Sequence, residues 1–342
     1  MKPIRIWFNR TFSTAVHYIQ MIKDNPDSRK FTIYATHPKK HSLMLQFADH
    51  AEIEPSLTGK QYIDYCLKFC RKNKIDVFIP HYEQTEIAKY AAAFHELGTR
   101  VLVCEDHHLL EMIADKGSLF SRMKNIPDVT LPDYHVVRTA AEFLKAYIDL
   151  KEKGHTVCMK PTGGEGGKGF RIINDKKDTS IDSLLSNVTS RISFQAVYDI
   201  LSAQIEFPPL MVMEFLDGYE YSVDCLAMNG ELLAAVPRKK VSGRNQLLEE
   251  NLALLETAKV ITKELNIPYN FNIQFIYKNG VPKLLEINPR MSGGMYMSCM
   301  SGINFPYAAI QLLLDGTTNV VQPIYGINCT HMEKELELVR IF

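Results

Sequence analysis

The chain has 342 residues, with 39 Lys+Arg against 39 Asp+Glu and 46% hydrophobic residues. That length exceeds one small core and predicts about two or three domains, and the even charge argues against a general nucleic-acid binder. The 7 cysteines are scattered without a C-x-x-C pair, no long apolar run suggests a membrane span, and no signal or transit peptide is evident, so free thiols in a cytoplasmic chain are expected.

Residues 1 to 105 alternate strand and helix. Ile4–Phe8 reads as a strand, Ser13 as the cap of a helix reaching about Asp24, and Phe31–Ala35 as the next strand. A helix over about Lys60–Lys72 leads to the strand Asp76–Pro80. Glu83–Leu97 reads as one helix stopped by Gly98, and Arg100–Cys104 as a further strand. This alternation predicts a parallel sheet covered by helices. The first strand–helix turn, Asn9-Arg10-Thr11-Phe12-Ser13, carries no G-x-G-x-x-G. The domain is Rossmann-like in wiring, with no dinucleotide site expected. The pair His107-His108 reads as a loop or helix start.

Asp115-Lys116 opens a helix to about Lys124, Asp133–Val137 is a strand and Ala140–Lys151 a helix. The strand Thr156–Pro161 is followed by Thr162-Gly-Gly-Glu-Gly-Gly-Lys-Gly169 and a second strand, Phe170–Ile173. Gly164–Gly169 formally matches G-x-G-x-x-G, but the dinucleotide fingerprint needs a helix next, whose N-terminus takes the pyrophosphate. A Walker loop also fails, because Gly169 stands where Ser or Thr would bind Mg²⁺ and Thr162 where the first Gly should be. The chain has no D-F-G and no H-R-D, which excludes the protein-kinase pattern. What remains is a glycine loop between antiparallel strands. Its N–H groups can approach phosphates, and Lys160 and Lys168 add charge; a solvated turn is the alternative. Pro208-Pro209 reads as a hinge.

From Leu210 the strands Met211–Leu216, Tyr221–Met228 and Glu231–Val236 follow, then a helix over about Leu248–Leu265. Asn272–Arg290 is a hairpin turned by Asn279-Gly280. Glu286 and Asn288 share one strand face, Leu285 and Ile287 the other, core face, and Gln274 lies roughly opposite Glu286. An acid and two amides suit Mg²⁺, which prefers hard oxygen ligands and shares them with phosphates; a solvated face is the alternative. A plain two-residue turn would set Gln274 against Leu285, so the shared face requires an extra turn residue or a bulge, with Pro282 a plausible place. Arg238, Lys239, Lys240 and Arg244 form a basic segment that suits a substrate carboxylate or a solvated loop. Met291–Met300 and Tyr296 suit a pocket wall or core, and Tyr307–Leu314 is a buried helix ended by Gly316.

Asp115-Lys116, Met159-Lys-Pro161 with its glycine loop, Met213-Glu-Phe-Leu-Asp-Gly-Tyr-Glu220, and Gln274 with Glu286-Ile-Asn-Pro-Arg290 occur in this order. That order resembles the ATP-grasp superfamily, most closely its carbamoyl-phosphate synthase-like, carboxylate–amine ligase branch. The resemblance covers about Lys116 to Gly316. It implies an α/β and α+β chain: a Rossmann-like pre-ATP-grasp domain over 1–110, a small lid portion with the glycine loop over 111–209, and a C-terminal lobe with the metal hairpin over 210–342.

The resemblance also implies roles. Lys116 and Lys160 contact ATP phosphates, and Gly164, Gly166, Gly167, Lys168 and Gly169 close over them. Glu214, Phe215 and Leu216 meet adenine, and Glu220 the ribose. Gln274, Glu286 and Asn288 hold Mg²⁺, or alternatively Mn²⁺, and Arg290 lies near the transferred phosphate. Arg238, Lys240, Arg244 and Ser292 are substrate candidates. The implied reaction phosphorylates a small carboxylate and couples it to an amine. The chain is shorter than a synthase large subunit, has one ATP-grasp unit, shows no glutaminase-like segment, and leaves the synthase pattern at Ser292-Gly293-Gly294. A carbamoyl-phosphate-type step on bicarbonate or carbamate with a partner subunit, and ATP binding without catalysis, stay open. Small-molecule substrates are the expected partners, with no nucleic acid and no membrane, and a homodimer is allowed. The region 127–209 is expected to close over nucleotide as a lid.

Overall fold

A computed structural model describes residues 2–164, 167–175, 190–332 and 334–338. The chain divides into two compact units, one of Met1–Glu111, Tyr219–Gln274 and Ile287–Phe342, the other of Met112–Gly218 and Phe275–Glu286. In the first unit, strands β1 (Ile4–Asn9), β2 (Phe31–His37), β3 (His50–Ile53), β4 (Val77–Ile79) and β5 (Arg100–Val101) form a parallel sheet in the order β3-β2-β1-β4-β5. The end of β1, Ile6 to Asn9, is buried without alternation, as expected of a parallel strand covered on both faces. The helix Gly59–Asn73 supports it by turning Tyr62, Ile63, Cys66, Phe69 and Cys70 inward, a stripe with helical spacing.

Several local expectations change here. Glu83–Leu97 is two helices, Gln84–Lys89 and Ala91–Glu96, separated at Tyr90, where φ −110° and ψ 16° leave the helical region. Ser13 does not cap: the first helix, Ala15–Lys23, follows Thr14 and has no side-chain cap bond. The edge strand β3 reads HAEI, largely exposed, so it lacks the apolar signal that marks its neighbours.

The strand order reverses between β1 and β4, where open α/β sheets usually bind ligands. Side chains occupy this place. The Asn9 amide donates to Tyr62 Oη at 2.8 Å and accepts the His81 N–H at 2.6 Å. Arg10 pairs with the buried Glu54 and lies 3.9 Å over the Tyr82 ring.

In the second unit the helix Lys116–Met123 is capped by Asp115, whose carboxylate accepts the Ser118 N–H at 2.8 Å. Strands β6 (Tyr134–Val137), β7 (Val157–Pro161), β8 (Arg171–Asn174), β9 (Arg191–Ser193) and β10 (Leu210–Glu214) form a sheet in the order β6-β10-β7-β8-β9. The helix Ala140–Glu152 begins with a capping box of Thr139 and Glu142. β7 and β8 pair antiparallel, Val157 against Ile173, so the glycine loop joins two antiparallel strands. The sequence reading placed the Met211–Leu216 strand with the C-terminal run. The structure instead pairs β10 with β6 and β7, a non-local choice that carries this unit past Pro208-Pro209 to Gly218.

The third sheet contains β11 (Glu220–Met228), β12 (Glu231–Ser242), β13 (Asn245–Leu248), β14 (Tyr269–Lys278), β15 (Val281–Asn288) and β16 (Ile327–Cys329), in the order β15-β14-β11-β12-β13-β16. β12 runs well beyond Val236 because β13 folds back on it, so the following helix starts at Leu252 and not Leu248. Gly316, at φ 75°, ends the helix Phe305–Asp315.

Candidate active site

In the second unit the end of β7 and the start of the capped helix bring two lysines together. The Lys116 ammonium donates to Gly164 O at 3.0 Å and lies 3.7 Å from the Glu286 carboxylate. Burial first, and the Lys116 charge second, push Lys160 down to about 8, while Glu286 opposes the shift. Two cations and one acid thus share a partly desolvated place beside the glycine loop. Within that loop Gly167, Lys168 and Gly169 are exposed, whereas Gly166 lies outside the described residues. Gly169 has φ 77°, and a Cβ there would stand 2.8 Å from the Pro161 ring, so only glycine fits.

Glu214, at the end of β10, is 1% exposed. It accepts the Asp133 N–H at 2.9 Å and pairs with Lys283, and His155 Nδ1 lies 3.6 Å away. The Phe215 N–H donates to Thr156 O at 2.6 Å, and its carbonyl accepts Lys278 Nζ at 3.2 Å. Leu216 is buried. Lys278, Lys283 and His155 escaped the sequence reading. Lys283 left one signal, as a charge beside the apolar Leu284 and Leu285 on β15.

In the first unit Glu220 pairs with Lys240 across β11 and β12. Arg290 donates to Asn288 Oδ1 at 3.4 Å and lies 5.0 Å from the Phe12 ring centre. His81 also stands against Phe12, 4.2 Å between ring centres, and is pushed down to about 3 by burial and then by the Arg290 charge. Arg238 departs most from expectation. It is 3% exposed on β12, with its N–H groups directed at Asp224, Ser298, Ser292 and Gln246. The basic run is therefore no uniform loop: Arg238 turns inward, Arg244 sits in the β12–β13 turn, and Ser292 is buried.

The hairpin turn is Asn279-Gly280, with φ 53° and 78°, closed directly between Lys278 and Val281. It therefore contains no extra residue. In β15 the fully buried positions are Leu284 and Ile287, and Leu285 is only partly buried, which corrects the Leu285/Ile287 core face. Their odd spacing departs from the strict alternation of a half-buried strand. Among the described residues no group of three or more His, Cys, Asp or Glu could hold a metal. A single carboxylate with amide oxygens fits a cation that keeps phosphate or water in its shell, which is the habit of Mg²⁺.

Comparison with known proteins gives this arrangement a context. Residues 206–335 match the family model "ATP-grasp in the biosynthetic pathway with Ter operon", and residues 11–102 match "PylC-like, N-terminal domain". The chain is 27% identical over 214 residues to the carbamoyl phosphate synthase large chain of Sulfolobus acidocaldarius, covering 59% of this chain and 19% of that one. It is 22% identical over 345 residues to the large chain of Clostridium acetobutylicum, covering 95% and 29%. It therefore spans less than a third of the length of these relatives.

Among solved structures it resembles the Staphylococcus aureus N5-carboxyaminoimidazole synthetase complexed with ADP, with TM-score 0.67, 12% identity and 93% and 79% of the two chains covered. An L-amino acid ligase from Bacillus licheniformis gives 0.64, 13%, and 92% and 75%. The biotin carboxylase domain of Hydrogenobacter thermophilus 2-oxoglutarate carboxylase, with MgADP and bicarbonate, gives 0.68, 15%, and 96% and 74%. No helix among the described residues is long and apolar enough to cross a membrane.

Proposed function

We propose that this chain, an ATP-grasp protein, is an ATP- and Mg²⁺-dependent ligase that joins a small carboxylate to an amine. The observation that carries the reading is the grouping of Lys116, Lys160 and Glu286 beside a glycine loop held between antiparallel strands. Lys116 and Lys160 hold the β- and γ-phosphates, with loop N–H groups completing the cradle. Glu214, Phe215 and Leu216 face adenine, and Glu220 the ribose once its pairing with Lys240 opens. Gln274, Glu286 and Asn288 on the hairpin hold Mg²⁺. When bound, that ion supplies charge neutralisation for the phosphates. Arg290 steadies the transferred phosphoryl group. A carboxylate oxygen attacks the γ-phosphorus and ADP leaves. The amine then attacks the acyl carbon, phosphate leaves, and the amine gives up a proton. Positioning and charge do the work, so no protein nucleophile is required.

ADP release screened across amino acids, dipeptides and bicarbonate tests this. Amine-dependent release with an amino acid or peptide carboxylate supports the ligase. Release with bicarbonate alone supports the carbamoyl-phosphate-type step that the relatives' names suggest. ATP binding without release under any condition leaves a nucleotide-binding protein.

Lys160→Ala is expected to weaken ATP binding about 10- to 100-fold, the worth of a charge-assisted hydrogen bond, with an unchanged melting temperature. The wild-type affinity should fall as pH rises through about 8, where free Lys160 loses its proton. ATP phosphates raise that pKa, so binding above pH 8 takes up a proton. Calorimetry in two buffers of different ionisation enthalpy measures the uptake. An affinity flat from pH 7 to 9 removes Lys160 from the phosphate site.

A further inference from the structure

Ser292-Gly293-Gly294 and the inward Arg238 have no part in the reaction outlined above, yet they meet. Asp224 on β11 is 0% exposed and Arg238 3%. Arg238 Nη2 and Nε reach Asp224 Oδ2 at 3.1 and 3.3 Å. The same carboxylate accepts Ser298 Oγ at 2.6 Å, Ser292 Oγ at 2.7 Å and Asn272 Nδ2 at 2.8 Å. One buried acid thus ties β14, through Asn272, to the segment that leaves β15, through Ser292. Asn272 is two residues from Gln274 on the same face of β14, and Ser292 is two residues beyond Arg290. Tyr18 Oη also donates to the Ser292 carbonyl.

Gly294 lies on the guanidinium. A Cβ built there would stand 2.7 Å from Nη1 and 2.8 Å from Cζ and Nη2. Its φ of −107° is open to any residue, so the close approach to Arg238 is what demands glycine.

We propose that the Asp224–Arg238 pair is a positioning clamp that fixes Asn288 and Arg290, and that Arg238 and Ser292 take no substrate carboxylate. A carboxylate arriving at Arg238 would meet the Asp224 carboxylate in the same network and Gly294 across the guanidinium face. The pair is neutral as a whole, and its hydrogen bonds run to the segment around the hairpin. Partners that orient ligand-bearing segments typically set metal affinity about 10- to 100-fold. The link from clamp to metal rests on the ligase reading above; the clamp itself rests on the contacts.

The test uses the full chain carrying Gly294→Ala, with ATP and Mg²⁺ as probes. Hydrogen exchange over residues 288–298 should become about tenfold faster, with no change in the helix Phe305–Asp315. The Mg²⁺ concentration needed for half-maximal ATP binding should rise about tenfold. In an Asn288→Ala background the same substitution should add less than about twofold, because it acts through that residue. Arg238→Lys, which keeps the charge beside Asp224 but loses the fork, should show the same pattern and serves if the alanine variant does not fold. Unchanged exchange over 288–298, or an equal Mg²⁺ shift in both backgrounds, overturns the clamp. If the wild-type chain shows no Mg²⁺-linked ATP binding, the ligase reading falls, and the exchange measurement alone still decides the clamp.

Discussion

Glu286→Gln is expected to lower Mg²⁺-dependent ADP release by about 100-fold or more, beyond the usual effect of an outer-shell partner, while the protein melts as before. The amide keeps the shape of the side chain and removes its charge. Two consequences add. The proposed metal set loses its only anionic member, and amide oxygens alone hold Mg²⁺ poorly. The Lys116 ammonium, 3.7 Å away, also loses its acid, and Lys160 loses the group that opposes its downward shift. Stability should hardly move, because the side chain is 27% exposed and the pairing is long. ADP release titrated with Mg²⁺, beside a thermal melt, reads both effects. Turnover within about twofold of wild type would remove the hairpin from the metal site.

Asp224→Ala is expected to produce the largest stability loss of any single polar substitution in the first unit, about 3–5 kcal/mol. The reason is asymmetry. The substitution leaves a buried guanidinium without its counter-charge, and Ser292, Ser298 and Asn272 lose their acceptor together. An exposed pair such as Lys72–Glu52, with side chains 63% and 46% accessible, should cost under about 1 kcal/mol on the same change. Urea unfolding of both variants compares them directly. Equal losses would mean that solvent reaches Asp224.

What was legible in the sequence was local. The Asn279-Gly280 turn, the Asp115 cap, the helix over Gly59–Asn73 and the strands either side of the glycine loop all announce themselves through periodicity and turn chemistry within a few residues. The misreadings were matters of partnership. β10 looks like part of the strand run that follows it, and only its pairing with β6 and β7 assigns it elsewhere. Arg238 sits in a run of three cations that reads as a substrate-carboxylate contact or a solvated loop. Its burial depends on a register that sets Asp224 opposite Val236 and Arg238 opposite Ser222 on the neighbouring strand. Fourteen residues of sequence separate the two charges, and no local pattern links them. The break at Tyr90 is likewise invisible, since Glu83–Leu97 contains no glycine or proline.

Trp7 is the chain's one tryptophan. Its indole lies in the first sheet, fully buried between Phe69 at 4.4 Å and Phe78 at 4.1 Å, and donates to Thr36 Oγ1 at 3.0 Å. Fluorescence of the native chain is thus a built-in reporter of that sheet alone: emission stays at short wavelength while the stack holds and moves to the red when water enters. Far-UV circular dichroism sums over all three sheets. Recording both signals in one denaturation series shows whether the first sheet melts together with the rest, since a single cooperative transition makes different probes coincide. No dye or added label is required.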